Sequence, residues 1–274
     1  MTTRISLCRQ LLAFSLAVAA AQSFAQTSPA RSEPRNQFEV GAWAVRHSQT
    51  LRAESLFGGA TTPPDSVSLE NDLGLSRRST AFTVGYTRLI GQAWHFNAEY
   101  ARSSRNGSTS TTRRLQIGDL SYPAGTTLQS DANIIYSSFA GGLALVQRDA
   151  AEFGVRVGGV TVRGRVGIND PSRNLKVDWI VSDVLPMVGL FIHTRPSENL
   201  RFNVRLDAAA QDGARTTNLQ LDLRWQPAPS LGLSAGLRVL SGRSGRDDFD
   251  IYNIGRERST YRLSGPQLSA HLAF

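Results

Sequence analysis

The chain has 274 residues, a formal net charge of +8 and a sequence pI near 10.5. Charged residues make up 19% and hydrophobic residues 41% of the sequence, which excludes wholesale disorder and a coiled coil. Beyond the N-terminus no run approaches the ~18 apolar residues of a membrane helix, so a protein with several membrane helices is also excluded. The single cysteine, Cys8, excludes a disulfide framework and a cysteine-ligated zinc site.

The first 25 residues have the three parts of a secretory signal peptide. Arg4 and Arg9 form a basic start, residues 11–21 are apolar, and Ser23-Phe24-Ala25 places small residues at a cleavage site. The apolar stretch is too short to cross a bilayer as a helix. We therefore predict export and cleavage after Ala25. Residues 26–37 show no periodicity and are predicted to be a flexible periplasmic leader.

From residue 38 onward the hydrophobic period is two, which predicts β-strands with one apolar and one polar face. The alternation is strictest between Leu200 and Ala210, where every second side chain is apolar and those between are mostly charged or amide. Ten segments follow this pattern, some weakly: 38–47, 79–90, 94–101, 131–147, 152–163, 181–194, 200–210, 217–225, 231–239 and 260–274.

The connections between these segments are short after the second, fourth, sixth and eighth and long after most of the others. Short turns on one side and long loops on the other are typical of a transmembrane β-barrel. We predict an all-β fold, one antiparallel ten-stranded barrel over residues 38–274, with periplasmic turns and termini and extracellular loops. Eight or twelve strands are the alternatives, because Asn106-Gly107 could turn a further hairpin.

A soluble β-sandwich or lipocalin-like barrel would show the same alternation with its apolar face inward. Two features favour an outward apolar face: charges of both signs on the polar face, and aromatic residues at strand ends. The aromatic residues predict two interfacial girdles, with Trp94, Phe153, Trp225 and Phe274 near the short turns and Tyr100, Trp179 and Tyr261 toward the long loops.

The final strand carries Leu268, Ala270, Leu272 and Phe274 at alternate positions. With this strand, with Asp72-Leu73-Gly74-Leu75 and with residues 185–190 (LPMVGL), the chain over 38–274 resembles the small outer-membrane β-barrel proteins of Gram-negative bacteria. The resemblance implies an outer-membrane location and insertion by the barrel-assembly machinery, which reads the terminal strand with its final phenylalanine. It implies no single activity.

Pro186 departs from a regular strand, because proline removes a hydrogen bond of the sheet. We therefore predict a β-bulge at this residue.

Long charged side chains on the polar face are predicted to pair across the lumen and largely fill it. They are Glu99, Arg156, Arg201, Arg205, Asp207, Asp222, Arg224 and Arg238. If Asp212 pairs with Arg215 across the turn, then Arg205 faces Asp222. A slip of two residues would oppose like charges, which is unfavourable, so the first register is predicted.

Catalytic chemistry has little support in the sequence. A lipid-cleaving barrel needs a serine and an orienting acid or amide beside a histidine, and a protease barrel needs paired acids there. None of the four histidines stands in a His-x-Ser arrangement, and the side chains of His47 and Ser48 would point to opposite faces of a strand. His47 also has no nearby Asp. We predict no catalytic, cofactor or metal residues. Two groups of side chains are considered as metal ligands. His95, His193 and His271 are predicted to point inward, and Asp247, Asp248 and Asp250 lie in one loop, where nearby arginines cancel their charge.

We expect a non-enzymatic surface barrel with a mostly filled lumen and loops that make external contacts. A narrow channel for small solutes is the alternative, and a lipid-modifying enzyme is a minor one. The export signal argues against nucleic acid as a partner. Lipopolysaccharide suits arginine, whose planar guanidinium can bind phosphate with two hydrogen bonds. The predicted contacts are Arg77, Arg78, Arg113 and Arg114.

Overall fold

Each of the ten predicted segments forms a strand in the computed structural model, which describes residues 35–53, 66–90, 93–117, 120–148, 150–244 and 257–274. The strands in chain order are β1 (Asn36–Ala53), β2 (Val67–Ser68), β3 (Arg78–Ile90), β4 (Trp94–Ser110), β5 (Leu115–Ile117), β6 (Leu120–Tyr122), β7 (Thr127–Arg148), β8 (Ala151–Asp170), β9 (Leu175–Ser197), β10 (Leu200–Gln211), β11 (Ala214–Ala228), β12 (Leu231–Ser244) and β13 (Glu257–Ala273). In these described ranges no helix is long and apolar enough to cross a membrane. The predicted signal peptide and the candidate calcium ligands Asp247, Asp248 and Asp250 lie outside them.

The ten long strands form one antiparallel barrel in which each strand pairs with its neighbours and β13 pairs back to β1. The short β2 pairs with β1, and β5 pairs with β6 in a separate ribbon. An even number of strands brings the two termini together, and the Asn36 amide donates a 3.0 Å hydrogen bond to the Phe274 carbonyl. Asn106 and Gly107 pair within β4 and do not turn, so the alternative of twelve strands fails.

Two ends of the barrel follow from this topology. The short-turn end carries the two termini and the connections β3–β4, β7–β8, β9–β10 and β11–β12, and the long-loop end carries the other connections. The apolar face of each strand points outward: Leu268 is 64% exposed and Val184 is 67% exposed. The opposite face points into the lumen, and it carries charged and polar side chains near the short-turn end and many apolar ones toward the long-loop end. This is the arrangement of a barrel in lipid and the reverse of a soluble β-barrel.

The aromatic girdle at the short-turn end is confirmed, because Trp94, Trp225 and Phe274 are each more than half exposed on the outer wall. At the long-loop end Tyr100 also points outward, but the prediction for Trp179 and Tyr261 was wrong. Both are buried and point inward. Side chains two residues apart share a face of a strand, so Tyr261 points the same way as the other odd-numbered residues of β13.

The β10–β11 register also differs from the prediction. Gln211 pairs with Ala214, which leaves Asp212 and Gly213 as a two-residue turn with φ of 49° and 79°. Positive φ at both central positions is the type I′ hairpin, and this turn fixes the register. Arg205 therefore lies opposite Gln220, and the predicted pair with Asp222 was wrong.

Pro186 produces no bulge, so that prediction was also wrong. It pairs with Gly159 of β8 in unbroken register. On the other side of β9, the pairing with β10 extends only as far as Met187, the residue that follows Pro186 in the sequence. The proline thus lies where β9 has lost one neighbour, and there a missing amide disturbs the sheet least.

Candidate functional site

Charged side chains from four strands meet at the centre of the lumen. Glu99 of β4 accepts hydrogen bonds from Arg205 of β10 and Arg238 of β12. Arg156 of β8 donates to both oxygens of Asp207, at 2.9 and 3.1 Å. We call these five residues and Asn218, which bridges Asp207 and Arg238, the central network. Five of the eight predicted lumen residues, Glu99, Arg156, Arg205, Asp207 and Arg238, lie together in it.

Arg238 is the most enclosed member of the central network, with no exposed surface. Its guanidinium lies between the rings of Trp43 and Tyr136, 5.0 Å from each ring centroid. The aromatic faces stabilise the cation, and the Glu99 carboxylate neutralises it. The sequence analysis missed Trp43, Tyr136 and Asn218, although their strand positions already put them on the inward face.

The other three predicted lumen residues, Arg201, Asp222 and Arg224, line a cavity of about 190 Å³ that opens at the short-turn end. We call this cavity the vestibule. Asn203 donates a 2.6 Å hydrogen bond to Asp222, and Arg224 donates one of 2.6 Å to Gln37. Arg201 lies directly opposite Arg224. The vestibule has room for a small solute, and it ends at the central network.

The three inward histidines lie at the short-turn end, as predicted, but they do not converge. His95 and His193 both contact Glu152, and their ring centroids are 5.8 Å apart. His271 is elsewhere, with its Nε2 2.9 Å from the Ser234 hydroxyl. Within the described ranges, no cluster of histidine, cysteine and carboxylate side chains could hold a metal ion.

An inner apolar layer adjoins the central network and extends from it toward the long-loop end. Its buried members are Trp43, Val45, Ala81, Ala101, Ile134, Tyr136, Ala140, Val160, Val162, Leu185, Met187, Ala209, Ala214, Leu240, Tyr261 and Leu263. They come from every strand of the wall, so the layer crosses the whole lumen. Apolar side chains in the lumen oppose the passage of an ion, because the ion would lose its water there without gaining a polar partner.

A second apolar cluster, the cap, closes the long-loop end. It consists of Leu51, Val67, Leu69, Leu73, Leu75, Leu115, Ile117, Tyr122, Leu128, Ala132, Ile168 and Trp179. Residues 66–76 and the β5–β6 ribbon contribute many of these side chains from the loops. Burial raises the pKa of the Tyr122 phenol above its ordinary value. The long loops therefore pack into a core of their own.

A buried ion pair holds the cap on the wall. Arg105 of β4 donates a 2.6 Å hydrogen bond to Glu70 and one of 2.9 Å to the Ser76 carbonyl. It also donates to the Gln49 side chain, while the Leu69 amide bonds the Gln49 carbonyl at 3.1 Å. This contact could not be predicted from the alternation of the strands, because Glu70 lies outside every predicted strand.

His47 lies beneath the cap, with its Nε2 2.7 Å from the Ser79 hydroxyl and 3.2 Å from the Ser103 hydroxyl. A serine beside a histidine is one requirement of a lipid-cleaving barrel. Here, however, the group faces the lumen, and in the part of the chain that the structure describes no carboxylate bonds to His47.

Three of the four predicted lipopolysaccharide contacts bond within the cap region. Arg77 donates to Asn71 at 2.7 Å and Arg114 to Ser121 at 2.9 Å, and Arg113 lies 3.4 Å from Asp72. Arg78 points outward at the start of β3, opposite Arg46. The predicted assembly residues Leu268, Ala270, Leu272 and Phe274 all lie on the outer face at the end of the chain.

No protein-family model matches the sequence, and no curated protein matches it either. Solved structures do match the fold. Outer membrane protease OmpT from Escherichia coli aligns with a TM-score of 0.54 and 8% identity, over 90% of this chain and 99% of that one. The translocator domain of autotransporter NalP from Neisseria meningitidis aligns over 100% of both chains, with a TM-score of 0.46 and 8% identity. Ail, the attachment invasion locus protein of Yersinia pestis, aligns over 86% of this chain and 99% of that one, with a TM-score of 0.38 and 8% identity. With its closed ten-stranded wall and outward apolar face, the chain has the fold of the Gram-negative outer-membrane β-barrels.

Proposed function

We propose that this protein is a non-enzymatic outer-membrane barrel that does not conduct solutes and that uses its capped end for contacts outside the cell. One observation carries the proposal: the lumen is filled at three successive levels. From the vestibule toward the long loops come the central network, the inner apolar layer, which overlaps the network at Trp43 and Tyr136, and then the cap. An ion that entered the vestibule would have to pass all three.

The surroundings of the histidines support a non-enzymatic role. His47 has hydroxyl neighbours beneath the cap, and His95, His193 and His271 lie at the opposite end of the barrel. Neither place combines a nucleophile, a base and an orienting acid at a lipid-facing rim. The fold shared with a protease does not decide the matter, because one fold hosts many functions.

The proposal includes an orientation, with the short-turn end in the periplasm and the cap outside the cell. It also includes insertion by the barrel-assembly machinery through the outward residues of β13. Protease added to intact cells should cut within residues 48–78 or 104–127 and should spare residues 195–198. Cleavage of intact cells at Arg195 would reverse the orientation.

Conductance of the purified protein in planar bilayers tests the filled lumen. We expect no steady current from the wild type, with a known porin as the positive control for insertion. The Arg205→Ala and Arg238→Ala variants should also give no steady current, because the inner apolar layer and the cap remain. Reproducible channel openings of the wild type at modest voltage, with a conductance that increases in these variants, would replace the proposal with the narrow-channel alternative.

A further inference from the structure

Five arginines form a continuous band around one half of the outer wall. They are Arg215 on β11, Arg243 on β12, Arg262 on β13, Arg46 on β1 and Arg78 on β3. All five occupy outward positions near the long-loop end. We call this set the arginine band.

The register shows how closely the band is spaced. Arg215 lies directly opposite Arg243, and Arg46 directly opposite Arg78. Arg262 pairs with Ser241 and Ser48, which are two positions from Arg243 and Arg46 along their strands. Direct partners are about 5 Å apart and diagonal ones about 7–8 Å, so each guanidinium can reach the next.

No acid balances this charge from the same face. On the five strands that carry the band, every outward position that the structure describes is free of Asp and Glu. None of the five guanidinium groups bonds to another described side chain. The opposite half of the wall differs, because there Arg165 binds Asp178 at 2.9 and 3.1 Å.

Like charges placed directly opposite destabilise a sheet. The band holds two such pairs, and an anion bound between the guanidinium groups would relieve their repulsion. Phosphate suits this position, because guanidinium groups bind its oxygens with paired, charge-assisted hydrogen bonds.

The surface below the band indicates what carries the phosphate. Toward the short-turn end, each arginine is followed at the next outward position by a small side chain: Thr217, Ser241, Ser264, Ala44 and Thr80. Apolar side chains then continue to the girdle. On β11 the ten steps from Arg215 to Trp225 span about 33 Å along the strand. At a strand tilt of about 40° this corresponds to about 25 Å of height, which is the height of the apolar wall of an outer-membrane barrel. The band therefore lies at the headgroup level of the outer leaflet.

We propose that the arginine band binds the phosphate groups of a phosphorylated acyl lipid of the outer leaflet, with the acyl chains along the apolar wall below. This assignment depends on the orientation given under the proposed function, and it is independent of whether the lumen conducts. It places the lipid site on the barrel wall and leaves Arg77, Arg113 and Arg114 to the cap.

The test compares two sets of variants of the full-length protein in neutral detergent. The band variant carries Arg46→Gln, Arg78→Gln and Arg262→Gln, and the matched control carries Arg77→Gln, Arg113→Gln and Arg114→Gln. Thermal unfolding is followed on titration with lipopolysaccharide, with the same lipopolysaccharide after removal of its phosphates, and with inorganic phosphate.

We expect lipopolysaccharide to raise the unfolding temperature of the wild type and of the control. The band variant should need about tenfold more lipid for the same rise. Dephosphorylated lipid should have little effect on any of them. An equal response of the band variant, or a loss confined to the control, would overturn the assignment. A full rise with inorganic phosphate alone would reassign the band to a free anion. If the band variant fails to fold, Arg215→Gln with Arg243→Gln tests the other end of the band.

Discussion

Arginine has two different environments in this barrel. In the lumen, Arg156 and Arg205 each meet a carboxylate from another strand, and Arg238 meets both a carboxylate and two aromatic faces. On the outer wall, Arg46 and Arg215 meet other arginines. The central network thus neutralises its charges from within the chain, and this half of the wall does not.

The difference shows which arginines receive their counter-anion from the chain itself and which do not. A buried guanidinium without its anion costs several kcal/mol, so the lumen must supply the anion for the fold to form. An exposed guanidinium beside another costs far less, because water and salt screen it. The wall can therefore leave its charges for an external anion. We expect substitutions in the lumen to act on folding and substitutions in the band to act on binding.

The largest expected effect is that of Glu99→Ala. This change leaves Arg205 and Arg238 in the lumen without their shared carboxylate. Removing one partner of a buried ion pair typically costs about 3–5 kcal/mol, and we expect a loss of unfolding free energy in that range. Urea unfolding in lipid vesicles measures it.

The matched control for Glu99→Ala is Asn97→Ala, one inward position away on β4. Its amide donates a 2.6 Å hydrogen bond to Thr87 and balances no buried charge. We expect a loss of about 1 kcal/mol. Equal losses for the two variants would mean that the central network contributes no more than an ordinary polar contact.

The strands and their facing could be predicted from the sequence, because alternation is a local property. The partners of each charge could not. Arg205 bonds to Glu99, which is 106 residues away, and only closure of the barrel brings the two together. The register error had the same origin: opposite charges were matched between neighbouring strands, whereas the Asp212-Gly213 turn fixes the pairing. The cap was missed because Leu69, Leu73 and Leu115 lie in loops without a period. Recognising the arginine band requires both the direction in which each side chain points and the register of neighbouring strands, and the sequence provided only the first.

A pair of double-mutant cycles is expected to give the next largest effect. Arg156 and Asp207 are in direct contact, so Arg156→Ala and Asp207→Ala should be coupled by about 0.5–3 kcal/mol. Arg205 and Asp222 are the pair that the sequence suggested, and the structure places Gln220 opposite Arg205. That cycle should give a coupling near zero. Strong coupling between Arg205 and Asp222 would restore the register predicted from charge.

The smallest expected effect is on the wall, and it has the opposite sign. In neutral detergent without lipid, Arg46→Gln removes one member of the opposed pair with Arg78 and leaves no carboxylate without a partner. We expect a slight stabilisation, under about 1 kcal/mol after screening by solvent. At 1 M salt the Debye length falls to about 3 Å, so the gain should vanish there, while the loss for Glu99→Ala should persist. Unfolding temperatures of the wild type and both variants at low and high salt separate the two cases. Destabilisation by Arg46→Gln that does not change with salt would mean that this arginine serves the fold, and the contrast between lumen and wall would then be wrong.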